Sequence, residues 1–210
     1  MGGAQYVHTF DKCFFMPSDL TAGLEYNRDR LKDNMWGYNR HTDQTVNIYS
    51  AFLQNEWKND RWGILIGGRL DKHNMVDNVI FSPRANLRFN PTQNINLRLS
   101  YSSGFRAPQA FDEDMHIENV GGTVAMIERA KDLKEEKSQS FSVSADMYHR
   151  FGAFQTNLLI EGFYTRLTDV FVLGKPYDRG DGILVKTRSN GPGAKVMGLT
   201  LEGKVTYLSI

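Results

Sequence analysis

The sequence predicts an all-β chain: an antiparallel, up-and-down transmembrane β-barrel wall of about nine strands. Three observations carry the prediction. Apolar and polar residues alternate with period two, the alternating runs are long, and the connections between them sort by length. Successive side chains of a strand point to opposite faces, so alternation means a wall with one apolar and one polar face. Such a wall is hydrophilic on average, and it needs strands of about 9 to 11 residues to cross a tilted bilayer path. The runs here reach about 10 to 16 residues, where an ordinary globular strand has about 5 or 6.

The strands are expected at 4–15, 19–33, 43–58, 61–73, 80–90, 94–105, 137–150, 154–173 and 195–208. The first alternates poorly. In the second, Leu20, Ala22, Leu24 and Tyr26 oppose Thr21, Gly23, Glu25 and Asn27. The third is ambiguous, with Val46, Ile48 and Phe52 on one side and Tyr49, Ala51, Leu53 and Trp57 on the other. The second set is assigned outward, because that leaves Gln54 and Glu56 in the lumen. In the fourth, Ile64, Ile66 and Leu70 oppose Leu65, Gly67, Arg69, Asp71 and His73. The sixth sets Ile95, Leu97, Leu99 and Tyr101 against Asn96, Arg98, Ser100 and Ser102. The seventh sets Phe141, Val143, Ala145 and Met147 against Ser140, Ser142, Ser144 and Asp146. The last sets Leu199, Leu201, Val205 and Tyr207 against Thr200, Glu202, Lys204 and Thr206.

Short turns are read at Pro17-Ser18, Asn59-Asp60, Asn90-Pro91-Thr92 and Phe151-Gly152-Ala153. They alternate with longer connections at 34–42, 74–79, 106–136 and 174–194. Outer-membrane barrels have this asymmetry, with tight turns on one side and long loops on the other. Tyr26, Trp57, Trp62, Tyr101, Tyr148, Tyr164 and Tyr207 sit near strand ends, as the aromatic girdles of such barrels do.

Composition excludes other classes. The 210 residues carry 25 Lys plus Arg against 24 Asp plus Glu, a net charge of +1, which offers no basic surface for nucleic acid. The single Cys13 excludes an intrachain disulfide and a multi-cysteine zinc site. The longest apolar stretch, Gly63-Ile64-Leu65-Ile66-Gly67, is far shorter than a membrane helix. Met1-Gly2-Gly3-Ala4 shows no signal peptide.

Ser100–Pro108 reads Ser-Tyr-Ser-Ser-Gly-Phe-Arg-Ala-Pro, and in it the chain resembles the β-barrel domain of TonB-dependent outer-membrane receptors. Leu53-Gln54-Asn55-Glu56-Trp57, Gly67-Gly68-Arg69-Leu70-Asp71, Ser82-Pro83-Arg84, Leu133-Lys134-Glu135-Glu136-Lys137-Ser138 and Gly198-Leu199-Thr200-Leu201-Glu202-Gly203 are similar to that family in the same order. The likeness runs from about Asp19 to Tyr207. It implies a bacterial outer-membrane location and energy-coupled uptake of a scarce solute such as an iron chelate, a corrin or a glycan fragment. It also implies a lipid bilayer around the wall and, as partners, the TonB complex and a surface lipoprotein. The family barrel has about 22 strands around a plugged lumen. Residues 1–210 are therefore expected to be a partial barrel, with plug domain and closing strands absent and no transport by this piece alone. A passive porin-type barrel and a soluble carbohydrate-binding β-sandwich are the alternatives.

For the solute path or rim, the candidates are Arg106, Asp112, Glu113, Asp114 and His116. The acidic cluster lacks the spacing and turn glycine of a calcium loop, and a solvated loop or a network with Arg106 is the plainer expectation. Arg69, Arg98, Glu25, Glu56, Glu161, Glu202 and Lys204 are expected to face the lumen. No catalytic constellation, cofactor site or metal site is read. The serines lack a nucleophile-elbow context, and the five histidines, His8, His41, His73, His116 and His149, are scattered. The chain is accordingly not expected to be an enzyme.

Overall fold

The structure is a computed structural model that describes residues 1–38, 40–110, 118–120, 123–180 and 182–208. In chain order the strands are β1 (Gly2–Cys13), β2 (Met16–Met35), β3 (Arg40–Lys58), β4 (Trp62–His73), β5 (Ile80–Thr92), β6 (Ile95–Arg106), β7 (Glu118–Val120), β8 (Thr123–Arg129), β9 (Glu136–Phe151), β10 (Phe154–Thr168), β11 (Phe171–Leu173), β12 (Tyr177–Asp178), β13 (Leu184–Asn190) and β14 (Ala194–Tyr207). One 3₁₀ turn, Trp36–Tyr38, caps the β2–β3 hairpin. No helix among the described residues is long and apolar enough to cross a membrane, which says nothing of crossing by strands.

Nine strands form one antiparallel sheet in the order β1-β2-β3-β4-β5-β6-β9-β10-β14. The wall strands span 12 to 20 residues, long enough for a tilted membrane crossing. Each neighbouring pair is a hairpin, with the loop sheet described below inserted between β6 and β9 and between β10 and β14. All nine expected strands are present, and the sheet is the wall of a partial barrel.

Register carries the facing of one strand to the next. Leu24 pairs with Ala51 and Ala51 with Leu70. Leu87 pairs with Leu99 and Leu99 with Val143, while Gly162 pairs with both Val143 and Leu199. These residues share one continuous apolar face on which Leu24, Leu53, Ile66, Leu99, Leu199 and Leu201 are all more than half exposed. So large an exposed apolar area is untenable in water and natural against lipid. Ala22 opposite Leu53 places the Tyr49, Ala51, Leu53, Trp57 set on that face, as expected. Val46, Ile48 and Phe52 are thereby on the other side. Phe52 finds room there because its partner is Gly23, where a Cβ would run into the phenyl ring.

Aromatic pairs mark both ends of the apolar face. At the long-loop end, Tyr26 stacks on Tyr49 at 4.9 Å and Tyr101 meets Phe141 at 4.7 Å. At the short-turn end, Trp62 stacks on Phe89 at 4.3 Å and Phe154 meets Tyr207 at 5.3 Å. Tyr148 departs from the expected girdle. It has the parity of Asp146 and turns to the polar side, where its hydroxyl donates to Asp146 at 2.9 Å.

Two turns lie elsewhere than the sequence reading put them, and proline explains both. The first turn is Phe14-Phe15, with Phe14 at φ 63, so the first strand ends at Cys13 and not at residue 15. Pro17 falls inside a register shift between Phe10 and Cys13. The third short turn is Gln93-Asn94, and Pro91 falls inside the shift between Phe89 and Thr92. Proline has no N–H for the ladder, and a bulge is where a strand tolerates it. The stretch expected as one strand at 154–173 also breaks. Asp169, at φ 54, turns the chain out of the wall, and β11 joins a second sheet. The loop expected at 34–42 is largely strand, because β2 and β3 pair as far as Met35 and Arg40.

Candidate functional site at the long-loop end

The second sheet is built from the two longest connections, one between β6 and β9 and the other between β10 and β14. Its order is β11-β13-β8-β7, with β12 added to β13. β8 and β13 run parallel, from Leu184 opposite Ala125 to Arg188 opposite Arg129. Val185 and Met126 are fully buried within it.

Specific bonds seat this loop sheet on the wall. Gln44, buried near the start of β3, accepts from the Ala110 backbone N–H at 2.9 Å and from Arg129 at 2.8 Å. Arg129 also donates to the Pro108 carbonyl at 3.0 Å. Asn190 donates to the Lys134 and Asp169 carbonyls and accepts from the Lys134 N–H, tying together the bases of the two connections. Glu136 accepts from the Phe171 N–H at 2.8 Å. Beside these bonds, Val76, Ile80 and Ala107 make a small apolar core with Phe105.

His73 closes β4 one residue beyond Lys72 and is 1 % exposed. Its Nδ1 accepts the Met75 N–H at 3.1 Å, and its Nε2 lies 3.2 Å from Gln109 Oε1. Those partners define a neutral imidazole with the proton on Nε2. Burial pushes its pKa down, while the bond to Gln109 and the charge of Asp71 pull it part of the way back.

Between the loop sheet and the rim lies a cavity of about 780 Å³. Its charged lining is Arg40, Arg129, Lys131 and Arg179 against Glu128, with His41 beside them. Asp33 pairs with Arg40 at 2.8 Å, and Glu128 lies 3.8 Å from Arg179. Among the described residues, and counting both carboxylates, the chamber lining carries two more positive than negative charges. Its volume suits an anion of small-molecule size, and its guanidiniums are each held by protein groups, Arg40 by Asp33, Arg129 by Gln44 and Pro108, and Arg179 near Glu128.

Arg106 ends β6 opposite Glu136, with its guanidinium 5.5 Å over the Phe171 ring. It braces the base of the loop sheet and does not line the chamber. Asp112, Glu113, Asp114 and His116 lie outside the described residues. Among the lumen candidates, Arg69 on the polar face bonds Glu25 at 2.7 Å and Asp71 at 2.8 Å, and it donates to Ser50 at 2.8 Å. Among the described residues, no group of three or more His, Cys, Asp or Glu could hold a metal ion. Sequence reasoning missed the chamber, because Arg40, Arg129, Lys131 and Arg179 are scattered over three connections. The available hint was the short apolar run Ile183-Leu184-Val185, which opens a strand inside a loop.

Comparison with known proteins agrees with this architecture. The family described as "TonB dependent receptor-like, beta-barrel" matches residues 3–209. The chain is 23 % identical over 206 residues to the "Probable hemoglobin and hemoglobin-haptoglobin-binding protein 3" of Haemophilus influenzae, a match that covers 96 % of this chain and 18 % of the relative. Among solved structures it is similar to the siderophore receptor PirA from Pseudomonas aeruginosa, with TM-score 0.77 and 17 % identity over 96 % of this chain and 38 % of that one. It is also similar to the FrpB iron transporter from Neisseria meningitidis, with TM-score 0.63 and 15 % identity over 99 % of this chain and 33 % of that one. The chain thus spans 18 % of this curated relative and 33 to 38 % of these solved receptors.

Proposed function

The chain belongs to the TonB-dependent receptor-like β-barrel family, and from that premise we propose that it is a section of an outer-membrane importer for a scarce anionic solute, foremost an iron chelate. The supporting observation is the chamber between rim and loop sheet, with its excess of Arg and Lys. A cationic mouth concentrates anions and speeds their capture. The relatives' names point the same way, since they describe a siderophore receptor, an iron transporter and a hemoglobin-binding protein. In this reading the apolar face meets the acyl chains of the bacterial outer membrane and the polar face lines the lumen. Import is powered through the TonB complex, and the chain's part is binding and passage, without catalysis.

The test is iron uptake by a host stripped of its own receptors and expressing the intact protein. Iron is offered as the trianionic ferric tris-catecholate, with a cobalamin as comparison. Uptake of the chelate should stop when the proton gradient is collapsed. Reversing Arg129→Glu together with Lys131→Glu should weaken apparent affinity about tenfold or more, which corresponds to about 1.4 kcal/mol. Uptake that ignores the gradient, or that tolerates both charge reversals, overturns the proposal.

A further inference from the structure

The chamber's lower wall hangs on a strap, residues 107–110, which leads out of β6 and is held at two points. Gln44 holds the Ala110 N–H and Arg129, and Arg129 in turn holds the Pro108 carbonyl. His73 holds Gln109. The first anchor is built from an amide and a guanidinium. The second contains an imidazole, the side-chain type that can gain a proton on mild acidification. His73 can keep both of its bonds only as the Nε2–H tautomer, since Nδ1 must present a lone pair to the Met75 N–H. A second proton would have to sit on Nδ1 and face that N–H, turning an acceptor into a competing donor. The imidazolium would then be buried at 1 % exposure, where an ion must be paired or displaced.

We infer that His73 is a positioning residue for the chamber: as a neutral imidazole it seats the strap on the rim, and on protonation it lets the strap go. The charged groups on its own strand do not replace the lost bonds. Asp71 is already engaged by Arg69 and Ser50, at 2.8 and 2.6 Å. The Lys72 ammonium donates to the Val76 and Asp77 carbonyls. The strap brings no titratable side chain, because it reads Ala107-Pro108-Gln109-Ala110. β8 brings Arg129, and the start of β3 brings Arg40 and His41 on the chamber side. Two other histidines belong to these connections, His41 in the chamber wall and, in the sequence, His116 after the strap.

The sign follows from burial. His73 has its pKa pushed down in the fold, so the unfolded or released form binds the proton more readily. The seat is intact above the ordinary histidine range of about 6.5 and weakens progressively as pH falls below it. That the chamber takes a solute rests on the proposed function, whereas the seat itself does not.

Hydrogen exchange on the intact protein in membranes, corrected for intrinsic rates and without solute, separates the two. From about pH 7.5 to about pH 5, protection of the Ala110 amide should fall about tenfold, and wall amides should keep theirs. His73→Gln retains an amide donor toward Gln109 and cannot titrate, so its Ala110 protection should be flat with pH. His73→Asn serves if that variant does not fold. His41→Gln and His116→Gln should each keep the fall. A flat wild-type profile, or a fall abolished by His41→Gln or His116→Gln, overturns the inference. In a second arm, affinity for ferric tris-catecholate should weaken in acid for the wild type and not for His73→Gln. If that probe binds at no pH while the exchange pattern holds, the anionic-chelate reading falls and the seat stands.

Discussion

The wall and the loop sheet are both β-structure, yet they are held by opposite means. In the wall, most strands repeat one instruction, apolar to one side and polar to the other, over 12 or more residues. A one-residue slip would send every leucine of a strand to the wrong face, so register is set by the whole strand at once. The loop sheet has strands of two to seven residues and a parallel pair that joins two distant connections. Too little surface is buried there to fix register by pattern. It depends instead on single side chains: Gln44, His73, Arg129 and Asn190. Many weak contacts make a wall that resists most substitutions, and a few strong ones make a rim that one substitution can loosen.

The largest expected effect is an attack on the wall's pattern. Leu99→Arg, on the apolar face between the two girdles, should cost about 2–4 kcal/mol in a bilayer folding titration, as a charge at the midplane does. Ser100→Arg, one residue along and on the polar face, should cost much less. Equal costs would break the claim that the two faces meet different solvents.

Next comes an attack on a single anchor. Gln44→Ala leaves the half-buried Ala110 N–H and one Arg129 bond without their acceptor, a loss of about 1–3 kcal/mol in local stability. Exchange should rise in 107–110 and 126–130 and stay unchanged in β9 and β10. If the wall loosens as well, the two regions are one cooperative unit and the contrast is wrong. The smallest effect is expected at the Arg30–Asp43 pair, whose side chains are 57 % and 49 % exposed. Asp43→Asn should leave the folding midpoint unchanged within error, because water already screens such pairs.

The same contrast explains how far the sequence could be read. β9 was legible because Phe141, Val143, Ala145 and Met147 stand clear of four polar neighbours. β3 was ambiguous because Val46 and Phe52 are apolar on the polar side. Phe52 fits over Gly23, and Val46 is buried at the rim close to Gln44. Those are tertiary facts that no single strand encodes. Pro17 and Pro91 read as turns because proline ends strands more often than it sits in bulges. The chamber was invisible because its cations come from β3, β8 and the two long connections, and only the parallel β8–β13 pairing brings them together. Of the rim candidates, Arg106 lies among the described residues, with its guanidinium over the Phe171 ring.

That parallel pairing also sets an order of events in folding. β8 and β13 are joined through the whole of β9 and β10, so the chain between them must be closed before their contact rewards anything. Hairpins close cheaply and early, while distant parallel strands close late. The wall therefore acquires its register while both long connections are still slack polymer. The cover over its mouth is the last part of the molecule to take shape and, on gentle destabilisation, the first to come apart.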